Sequence, residues 1–324
     1  MDFNLTDLSS QSDNTEEIPV NVLILGSGPA GLSAALYAAR ADLNPIVLTG
    51  MELGGQVSLT HIVENYPGFP EGVGGNELVE LFQKQAERFG AKLEFDSATE
   101  VDLSERPFKI KTYNTTYLAN SLIVTTGATP RHLGIPGEVE LTGRGVSYCA
   151  TCDGWFFKDK DLIVVGGGDS ALEEGIFLTR YAKSVKIVHR RDELRAGQIL
   201  QNRAKSNPKI DIVWNSVLTE ITGDEAVESV RLQNTVTKEE SVENIDGVFI
   251  FIGHVPNTSI FENQLEMNEL GYLINDQYMQ TNIPGVLTAG EVSDSHFRQV
   301  ITSAGMGAAA AIQAGHFLQE VSND

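Results

Sequence analysis

A strand, a glycine-rich turn, a helix and a second strand occur twice in this chain of 324 residues, in the same order. The first turn follows the apolar run from Val20 to Leu25, and the second follows Leu162 to Val165. At an offset of 140 residues the small residues of the two turns coincide, pairing Gly26, Gly28 and Gly31 with Gly166, Gly168 and Ala171. The flanking apolar positions coincide as well, so a whole supersecondary unit is repeated. Two such units predict an α/β chain with two Rossmann-like dinucleotide-binding domains.

The first turn has the Gly-x-Gly-x-x-Gly spacing found in dinucleotide sites. Its residues are Gly26, Ser27, Gly28, Pro29, Ala30 and Gly31. The glycines permit a tight turn and a close approach of the backbone to a pyrophosphate, which lies at the N-terminus of the following helix. Alone the motif is a weak indicator, but here it stands between a predicted strand and a helix predicted over residues 29–41. The next strand, residues 46–48, ends without the acid that often binds ribose hydroxyls.

Basic residues follow the second copy of the unit. His189, Arg190 and Arg191 stand at the end of its last predicted strand, and Arg195 comes four residues later. An NAD site usually has Asp or Glu here, whereas guanidinium groups suit the 2′-phosphate of NADP. The alternative is a solvated basic start of a helix, which is common on surfaces. In a chain with a formal net charge of -21, a local arginine cluster favours the phosphate.

The two cysteines of the chain, Cys149 and Cys152, lie between the two turns and are followed at once by Asp153. A Cys-x-x-Cys pair closes a small redox-active disulfide when one thiol is activated. The first alternative is half of a zinc site, but there is no third cysteine and the six histidines are scattered. The second alternative is two inert buried thiols. The adjacent acid and the position between two nucleotide motifs favour the redox pair.

Composition restricts the remaining function classes. The acidic charge argues against a nucleic-acid or anionic-membrane partner, and no apolar run reaches the roughly 18 residues of a membrane helix. Two cysteines do not form a disulfide framework, so a reducing cytoplasm is the expected compartment. Residues 1–17 are polar and acidic and are predicted to be a flexible tail without a secretory signal.

The other segments are less specific. Residues 51–75 are rich in glycine and proline, and a long irregular segment of this kind is usually functional or disordered. Residues 77–89 predict an amphipathic helix. Its predicted buried face comprises Leu78, Leu81, Phe82 and Phe89. A further helix is predicted from about residue 303 to 321, with small residues at its start that would permit the approach of a cofactor.

Together these residues resemble the low-molecular-weight, bacterial-type thioredoxin reductases, which are flavoprotein disulfide reductases. The resemblance extends from about Val20 to the C-terminal helix. Its most specific part is the run Cys149-Ala150-Thr151-Cys152-Asp153-Gly154 shortly before the second glycine turn. The supporting parts are the first glycine turn, Gly54-Gly55-Gln56, His189-Arg190-Arg191 and Arg298-Gln299.

The resemblance implies two cofactors, FAD and NADPH. FAD is expected to be bound by the six residues of the first turn and by Gly55, Gln56, Asn65, Thr126, Gly127, Glu291, Arg298, Gln299 and Val300. NADPH is expected to be bound by Gly168, Asp169, Ser170, His189, Arg190, Arg191 and Arg195.

The resemblance also implies the activity and the domain organisation. Cys152 would face the flavin, Cys149 would attack the disulfide of thioredoxin, and Asp153 would be the acid. An FAD domain of residues 18–127 and 257–324 would be interrupted by an NADPH domain of residues 131–253 that carries the cysteine pair. A homodimer is expected as well.

Two positions depart from the pattern of this family. Glu291 stands where an Asp is usual, so the flavin contact there is expected to be longer or shifted, and Phe297 stands where a Tyr is frequent. Three other functions stay open. They are a flavoprotein reductase of another dithiol protein, such as a peroxiredoxin or a glutaredoxin-like protein, a ferredoxin–NADP reductase, which would lack the thiol pair, and a flavin-binding redox sensor.

Overall fold

The computed structural model describes residues 16–51, 53–60 and 62–322. Most of the tail predicted for residues 1–17 therefore lies outside the described residues, and its last two, Glu16 and Glu17, belong to the first strand. The strands in chain order are β1 (Glu16–Leu25), β2 (Ile46–Leu48), β3 (Ile62–Val63), β4 (Val73–Gly74), β5 (Lys92–Glu94), β6 (Glu100–Asp102), β7 (Phe108–Lys111), β8 (Thr115–Val124), β9 (Ala128–Pro130), β10 (Val146–Ser147), β11 (Asp161–Val165), β12 (Ser184–Val188), β13 (Ile210–Val213), β14 (Ser216–Thr222), β15 (Ser229–Asn234), β16 (Glu240–Asn244), β17 (Gly247–Ile250), β18 (His254–Pro256) and β19 (Val286–Thr288).

The α-helices in chain order are α1 (Pro29–Arg40), α2 (Gly75–Arg88), α3 (Ala150–Asp153), α4 (Asp169–Leu178), α5 (Gln198–Ser206) and α6 (Val300–Ser322). Short 3-10 helices lie at Gly55–Leu59, Gly154–Phe157 and Ser259–Phe261. None of the helices in the described ranges combines the length and the apolar character needed to cross a bilayer.

The described residues form two compact units. The first unit comprises the described residues up to Val57, then Val79–Gly127, then those from Pro256 onward. The second unit comprises Ser58–Leu78 and Ala128–Val255.

A parallel sheet with two antiparallel strands at one edge forms the centre of the first unit. Its order is β5-β2-β1-β8-β7-β6, and β19 also pairs with β8 in parallel. Alternate residues of β1 enter two different cores: Leu23 and Leu25 pack in one, and Val22 and Ile24 pack with α1 and α6 in the other. Burial on both faces explains why the last four residues of β1, Val22 to Leu25, are all apolar.

The second unit repeats this plan on a smaller scale. A parallel sheet of order β10-β17-β11-β12-β13 has α3, α4 and α5 against one face. The antiparallel sheet β14-β15-β16 packs on the other face through Leu218, Ile221 and Val230. Here too β11 divides its side chains, because Leu162 and Val164 enter one core while Ile163 and Val165 enter the other.

In both units the glycine turn lies where neighbouring parallel strands end together. Leu25 pairs with Leu48 and with Val124 at the carboxyl ends of β1, β2 and β8. In the second unit Val165 pairs with Val188 at the ends of β11 and β12. This edge of an open parallel sheet is where such folds bind ligands.

Several predicted boundaries and one predicted face need correction. Helix α6 begins at Val300, three residues earlier than predicted, and α2 begins at Gly75, two residues earlier than predicted. For the helix α2 the predicted buried face was right for Leu78, which is buried, and Phe82 is half-buried. The prediction was wrong for Leu81 and for Phe89, one residue past the helix, which are 40% and 37% exposed. The ring of Phe89 lies 4.8 Å from the guanidinium carbon of Arg40, a surface contact that an apolar residue near a helix end can make.

Candidate active site

The two cysteines form a disulfide at the beginning of α3. The Cys149 and Cys152 sulfurs are 2.08 Å apart, and their Cα atoms are 5.3 Å apart. Cys149 is also the N-cap of this one-turn helix, because its Sγ accepts the backbone N–H of Cys152 at 3.2 Å. A helix start immediately after the first cysteine brings residues three apart onto the same side of the turn, which lets the two side chains meet.

Asp153 ends α3 and lies next to a buried hydroxyl. The Ser147 Oγ, which is 4% exposed, donates to Asp153 Oδ2 at 2.6 Å. Burial raises the pKa of Asp153, and the hydrogen bond from Ser147 opposes that increase. A raised pKa increases the ability of Asp153 to hold a proton and to donate it to a neighbouring group.

A second polar network begins at Tyr148, next to Cys149. The Tyr148 hydroxyl donates to Glu138 Oε1 at 2.8 Å and lies 2.8 Å from His132 Nδ1. The Glu138 side chain is 1% exposed, and its oxygens also accept the backbone N–H groups of Leu133 and Gly134. Burial raises the pKa of Tyr148, and the hydrogen bond to Glu138 raises it further. These hydrogen bonds fix the position of Tyr148, the residue immediately before Cys149.

The second glycine turn is shaped by close backbone approaches. Gly166 has φ +153°, and a Cβ there would lie 2.5 Å from the Phe251 oxygen. A Cβ on Gly167 would lie 2.2 Å from His189 Nδ1, so this position has room only for hydrogen. At Gly168, by contrast, a Cβ would meet no atom within 4 Å. The turn therefore has no space for side chains at Gly166 and Gly167 but has free space beside Gly168, at the N-terminus of α4. A pyrophosphate can bind in such a space.

The last arginine of the cluster, Arg195, is attached to this turn by its backbone. Arg195 and Ala196 donate their N–H groups to the Gly167 oxygen at 2.7 and 3.1 Å. The Asp169 carboxylate accepts the N–H of Gly197 at 2.7 Å. The side chains of Arg190, Arg191 and Arg195 are exposed, and in the described part of the chain none of them forms an ion pair within 4.0 Å. Exposed guanidinium groups without an ion-pair partner are able to bind an anion such as a phosphate.

His189 has a different environment from the arginines. Its side chain is 6% exposed under Gly167, and its Nε2 lies 2.9 Å from the Glu193 oxygen. Burial lowers the pKa of His189, and the neighbouring Arg195 and Arg190 lower it further, although backbone hydrogen bonds oppose the change. The ring therefore supports the glycine turn and the following loop.

The first glycine turn is as tight as the second. Gly26 has φ +108°, and a Cβ there would lie 2.4 Å from the Thr125 oxygen. A Cβ on Gly31 would lie 1.9 Å from the Gly26 oxygen. The buried Ser27 hydroxyl donates to the Thr49 oxygen at 2.9 Å and accepts the Gly54 N–H at 3.1 Å. These bonds bring the Gly54-Gly55 segment beside the turn, where the ideal Cβ of Gly55 is 3.6 Å from the Gly28 Cα.

A loop between β19 and α6 reaches the same turn. Gly290 has φ +80°, and a Cβ there would lie 2.9 Å from the Ala30 Cβ. Asp294, which is 8% exposed, accepts the N–H groups of His296, Phe297 and Arg298 at 2.8–3.0 Å. Asp294 thus fixes the backbone that carries Arg298 and Gln299. The sequence analysis did not identify it, although an Asp two to four residues before a turn is a usual acceptor for such N–H groups.

Burial raises the pKa of Glu291 to about 7, and Asp294 raises it while Arg298 lowers it. Because an ordinary Glu has a pKa of 4.5, the folded protein retains a proton here that the unfolded chain has lost. The free energy of unfolding therefore falls as the pH rises from about 4.5 to about 7.

Glu291→Gln is expected to remove this pH-dependent contribution, so the variant gains stability relative to the wild type above pH 7 but not below pH 4.5. Urea unfolding of protein freed of bound nucleotides, at an acidic and a mildly alkaline pH, measures the difference. Glu269→Gln, an exposed site in the same unit, is the control. An equal difference at both pH values would contradict the raised pKa.

The structure brings most of the predicted flavin residues together within the first unit. Thr126 is in that unit, where its hydroxyl donates to the Asn257 oxygen at 2.7 Å. Thr125, which was not predicted, contacts the turn more closely, since its Oγ1 donates to the Leu25 oxygen at 2.8 Å and lies 3.0 Å from the Gly26 oxygen. Asn65 belongs to the second unit, in a bend after β3. Its predicted contact with FAD stays a prediction.

The described part of the chain contains no group of three or more His, Cys, Asp or Glu side chains placed to hold a metal ion. Both cysteines are engaged with each other. The chemistry available at the site is thiol–disulfide exchange beside an acid.

Comparison with known proteins gives one family. The profile of the pyridine nucleotide-disulphide oxidoreductases matches residues 20–315. The chain is 52% identical over 309 residues to the thioredoxin reductase of Rickettsia bellii, which covers 94% of this chain and 100% of the relative. It is 50% identical over 307 residues to that of Streptomyces coelicolor, which covers 94% and 95%. The crystal structure of thioredoxin reductase from Streptococcus pyogenes matches with a TM-score of 0.90 at 42% identity, covering 93% of this chain and 99% of that one.

Proposed function

The chain belongs to the pyridine nucleotide-disulphide oxidoreductase family and to its low-molecular-weight thioredoxin reductases, and on that premise we propose that it reduces the disulfide of a thioredoxin with electrons from NADPH. The predicted resemblance and the two-domain α/β fold class are thereby confirmed. The observation that carries the proposal is the Cys149–Cys152 disulfide followed directly by the partly buried Asp153, which accepts a hydrogen bond from Ser147.

FAD fits the first unit. The close approaches at Gly26 and Gly31 form the tight turn, while a Cβ on Gly28 would have its nearest neighbour, the Gly54 oxygen, at 3.9 Å. That open position at the start of α1 is where a pyrophosphate would accept backbone N–H groups. Gly290 and the Asp294-supported loop bring Glu291 and Arg298 to the same side of the unit. When bound, FAD supplies the transfer of electrons from the nicotinamide to a disulfide.

NADPH fits the second unit. Gly168 and Ser170 stand at the open N-terminus of α4, where the diphosphate would bind. The exposed guanidinium groups of Arg190, Arg191 and Arg195 would pair with the 2′-phosphate. Asp169 and His189 would support this site through the Gly197 N–H and the Glu193 oxygen.

The cysteine pair would carry the electrons to the partner. Two electrons enter the S–S bond, which breaks to leave one thiolate and one thiol, and Asp153 supplies the proton of the thiol. Cys149 then attacks a sulfur of the partner disulfide and forms a mixed disulfide. Cys152 attacks Cys149 in turn, which restores the internal disulfide and releases the partner as a dithiol.

The partner and the setting are part of the proposal. Thioredoxin is the substrate because the relatives at 52% and 50% identity are thioredoxin reductases. We also propose a homodimer in the cytoplasm, with the FAD domain of residues 18–127 and 257–324 and the NADPH domain of residues 131–253.

The purified protein is expected to be yellow, to lose its flavin absorbance on addition of NADPH, and to oxidise NADPH continuously when thioredoxin is present. A glutaredoxin-like protein and a peroxiredoxin serve as alternative acceptors. Loss of flavin absorbance without NADPH turnover on thioredoxin would overturn the assignment. Faster turnover with one of the other acceptors would reassign the partner.

Asp153→Asn is expected to slow electron exchange between the flavin and the disulfide about 10²–10⁴-fold, since an amide cannot supply the proton. Reduction of the flavin by NADPH should be unchanged. Single-turnover absorbance measurements separate the two steps. Asp159→Asn, an exposed site in the same unit, is the control. An unchanged exchange rate in Asp153→Asn would remove Asp153 from the mechanism.

A further inference from the structure

We propose that Ser147 is a positioning residue for the acid: it occupies one carboxylate oxygen of Asp153 and leaves the other, Oδ1, as the atom that carries the exchanged proton. This inference rests on the proposed dithiol chemistry and assigns a role to a residue that the sequence motif does not include.

The geometry joins three parts of the site at one buried hydroxyl. Ser147 is the last residue of β10 and is 4% exposed. Its Oγ lies 2.6 Å from Asp153 Oδ2, a separation typical of an O–H group donating to a carboxylate. The same Oγ accepts the N–H of Cys149 at 3.1 Å. One hydroxyl therefore connects the acid to the backbone of the cysteine that is proposed to attack thioredoxin.

A hydroxyl has one hydrogen to donate, and the short distance assigns it to Asp153 Oδ2 rather than to the Cys149 oxygen at 3.2 Å. Oδ2 is then an acceptor whether the carboxyl group is ionised or protonated. Oδ1 accepts no hydrogen bond from any described residue. The proton of the neutral acid consequently binds to Oδ1, and the carboxyl group cannot rotate to exchange its two oxygens without breaking the bond from Ser147.

This arrangement has a direct consequence for the proton balance. When two electrons break the Cys149–Cys152 bond, Asp153 gives the Oδ1 proton to one sulfur and becomes a carboxylate. The other sulfur remains a thiolate. The hydrogen bond from Ser147 is strongest to the carboxylate, so it stabilises the state of Asp153 that forms in this step. Asp153 must regain its proton before the next cycle, and Ser147 keeps Oδ1 available for it.

Ser147→Ala removes only the hydroxyl. The carboxylate of Asp153 then loses its donor in a partly buried site, so the neutral acid persists to higher pH. We therefore expect the pH midpoint of flavin–disulfide exchange to move upward. The variant acid is also weaker and gives up its proton more slowly, so the rate at neutral pH should fall roughly 10-fold or more, the size of a lost hydrogen bond to a charged group. Reduction of the flavin by NADPH should not change.

The experiment measures flavin–disulfide exchange in single turnovers of the FAD-loaded protein across a pH series. Ser147→Thr, which restores a hydroxyl, is expected to return the midpoint towards the wild-type value. Ser216→Ala is the matched control, because Ser216 is also a buried serine of the second unit and its hydroxyl donates only to the Trp214 oxygen. It should leave the pH profile unchanged.

A double variant distinguishes positioning of the acid from general support of the fold. If Ser147 acts through Asp153, the double variant should exchange electrons less than about twofold more slowly than Asp153→Asn alone. The effects of two substitutions in one hydrogen-bond network do not add when one residue acts through the other. An unshifted midpoint in Ser147→Ala, or additive losses in the double variant, would overturn the inference. If Ser147→Ala does not bind FAD, Ser147→Gly in the same assay gives the midpoint instead.

The outcomes are separable from those of the proposed function. A wild-type protein that does not reduce thioredoxin would reject both proposals together. A wild-type protein that does, with a Ser147→Ala variant of unchanged pH profile, would reject only the role of Ser147.

Discussion

Serine in place of Cys149 is expected to abolish NADPH-dependent reduction of thioredoxin while leaving reduction of the flavin by NADPH intact. The variant retains Cys152, but no internal disulfide can form, so electrons have no covalent path to the partner. Cys152→Ser should give the same loss of turnover and, in addition, remove the sulfur proposed to face the flavin. Steady-state NADPH oxidation with thioredoxin and a single-turnover flavin measurement report the two steps.

Thr151→Ser is the matched control for the cysteine variants. Thr151 lies between the cysteines and its hydroxyl is 3.4 Å from Cys149 Sγ, so the replacement alters the same turn without touching either thiol. It should retain turnover. Near wild-type turnover in either cysteine variant would reject the dithiol mechanism, whatever the nature of the partner.

Replacement of Arg190, Arg191 and Arg195 by Gln is expected to reverse or erase a preference for NADPH over NADH. Each guanidinium group lost from the 2′-phosphate should cost about 1.5–3 kcal/mol, which corresponds to a loss in affinity of roughly 10–150-fold per residue. NADH has no 2′-phosphate, so its affinity should change little. The measurement is the ratio of kcat/KM for the two cofactors in flavin reduction.

Arg203→Gln is the control for charge alone, because Arg203 is an exposed basic residue of α5 in the same unit. It should leave the cofactor ratio unchanged. Equal losses for NADPH and NADH in the triple variant, or a wild type that prefers NADH, would show that the cluster does not recognise the 2′-phosphate.

Much of the fold was predictable because parallel strands that are buried on both faces consist of continuous apolar runs. Strand β2 was predicted with the bounds that the structure has, and β1 and β11 were predicted to within a few residues at their starts. The ends of β1 and β11 were predicted correctly, because each strand is followed by a glycine with positive φ, Gly26 after β1 and Gly166 after β11. The buried face of α2 was predicted less well because it is built partly from the small Ala86, which a search for large apolar side chains passes over.

Site residues were predictable where the chemistry requires a particular residue type. They were less predictable where a residue has its role only because folding brings it close to another residue. A cysteine pair, an adjacent acid and an arginine cluster each have few alternatives. Ser147 and Asp294 have ordinary local environments in the sequence, and their roles depend on hydrogen bonds to Asp153 and to the backbone around Arg298. Glu138 is a further example, because its partner Tyr148 is ten residues away and meets it only in the folded chain.

The interrupted course of the first unit determines the order in which the chain can fold during synthesis. The second unit is complete once Val255 has left the ribosome, but β19 and α6, which finish the first sheet and cover one of its faces, are among the last residues made. At about 5–20 residues per second, synthesis of the roughly 70 residues from Pro256 to the end of α6 takes about 3–14 s. During that time the second unit can be folded while the first unit is incomplete. The alanine-rich face of α1 that packs against α6 is then still uncovered. The α1 face that packs against α6 is therefore made early and buried late, only after α6 has been synthesised.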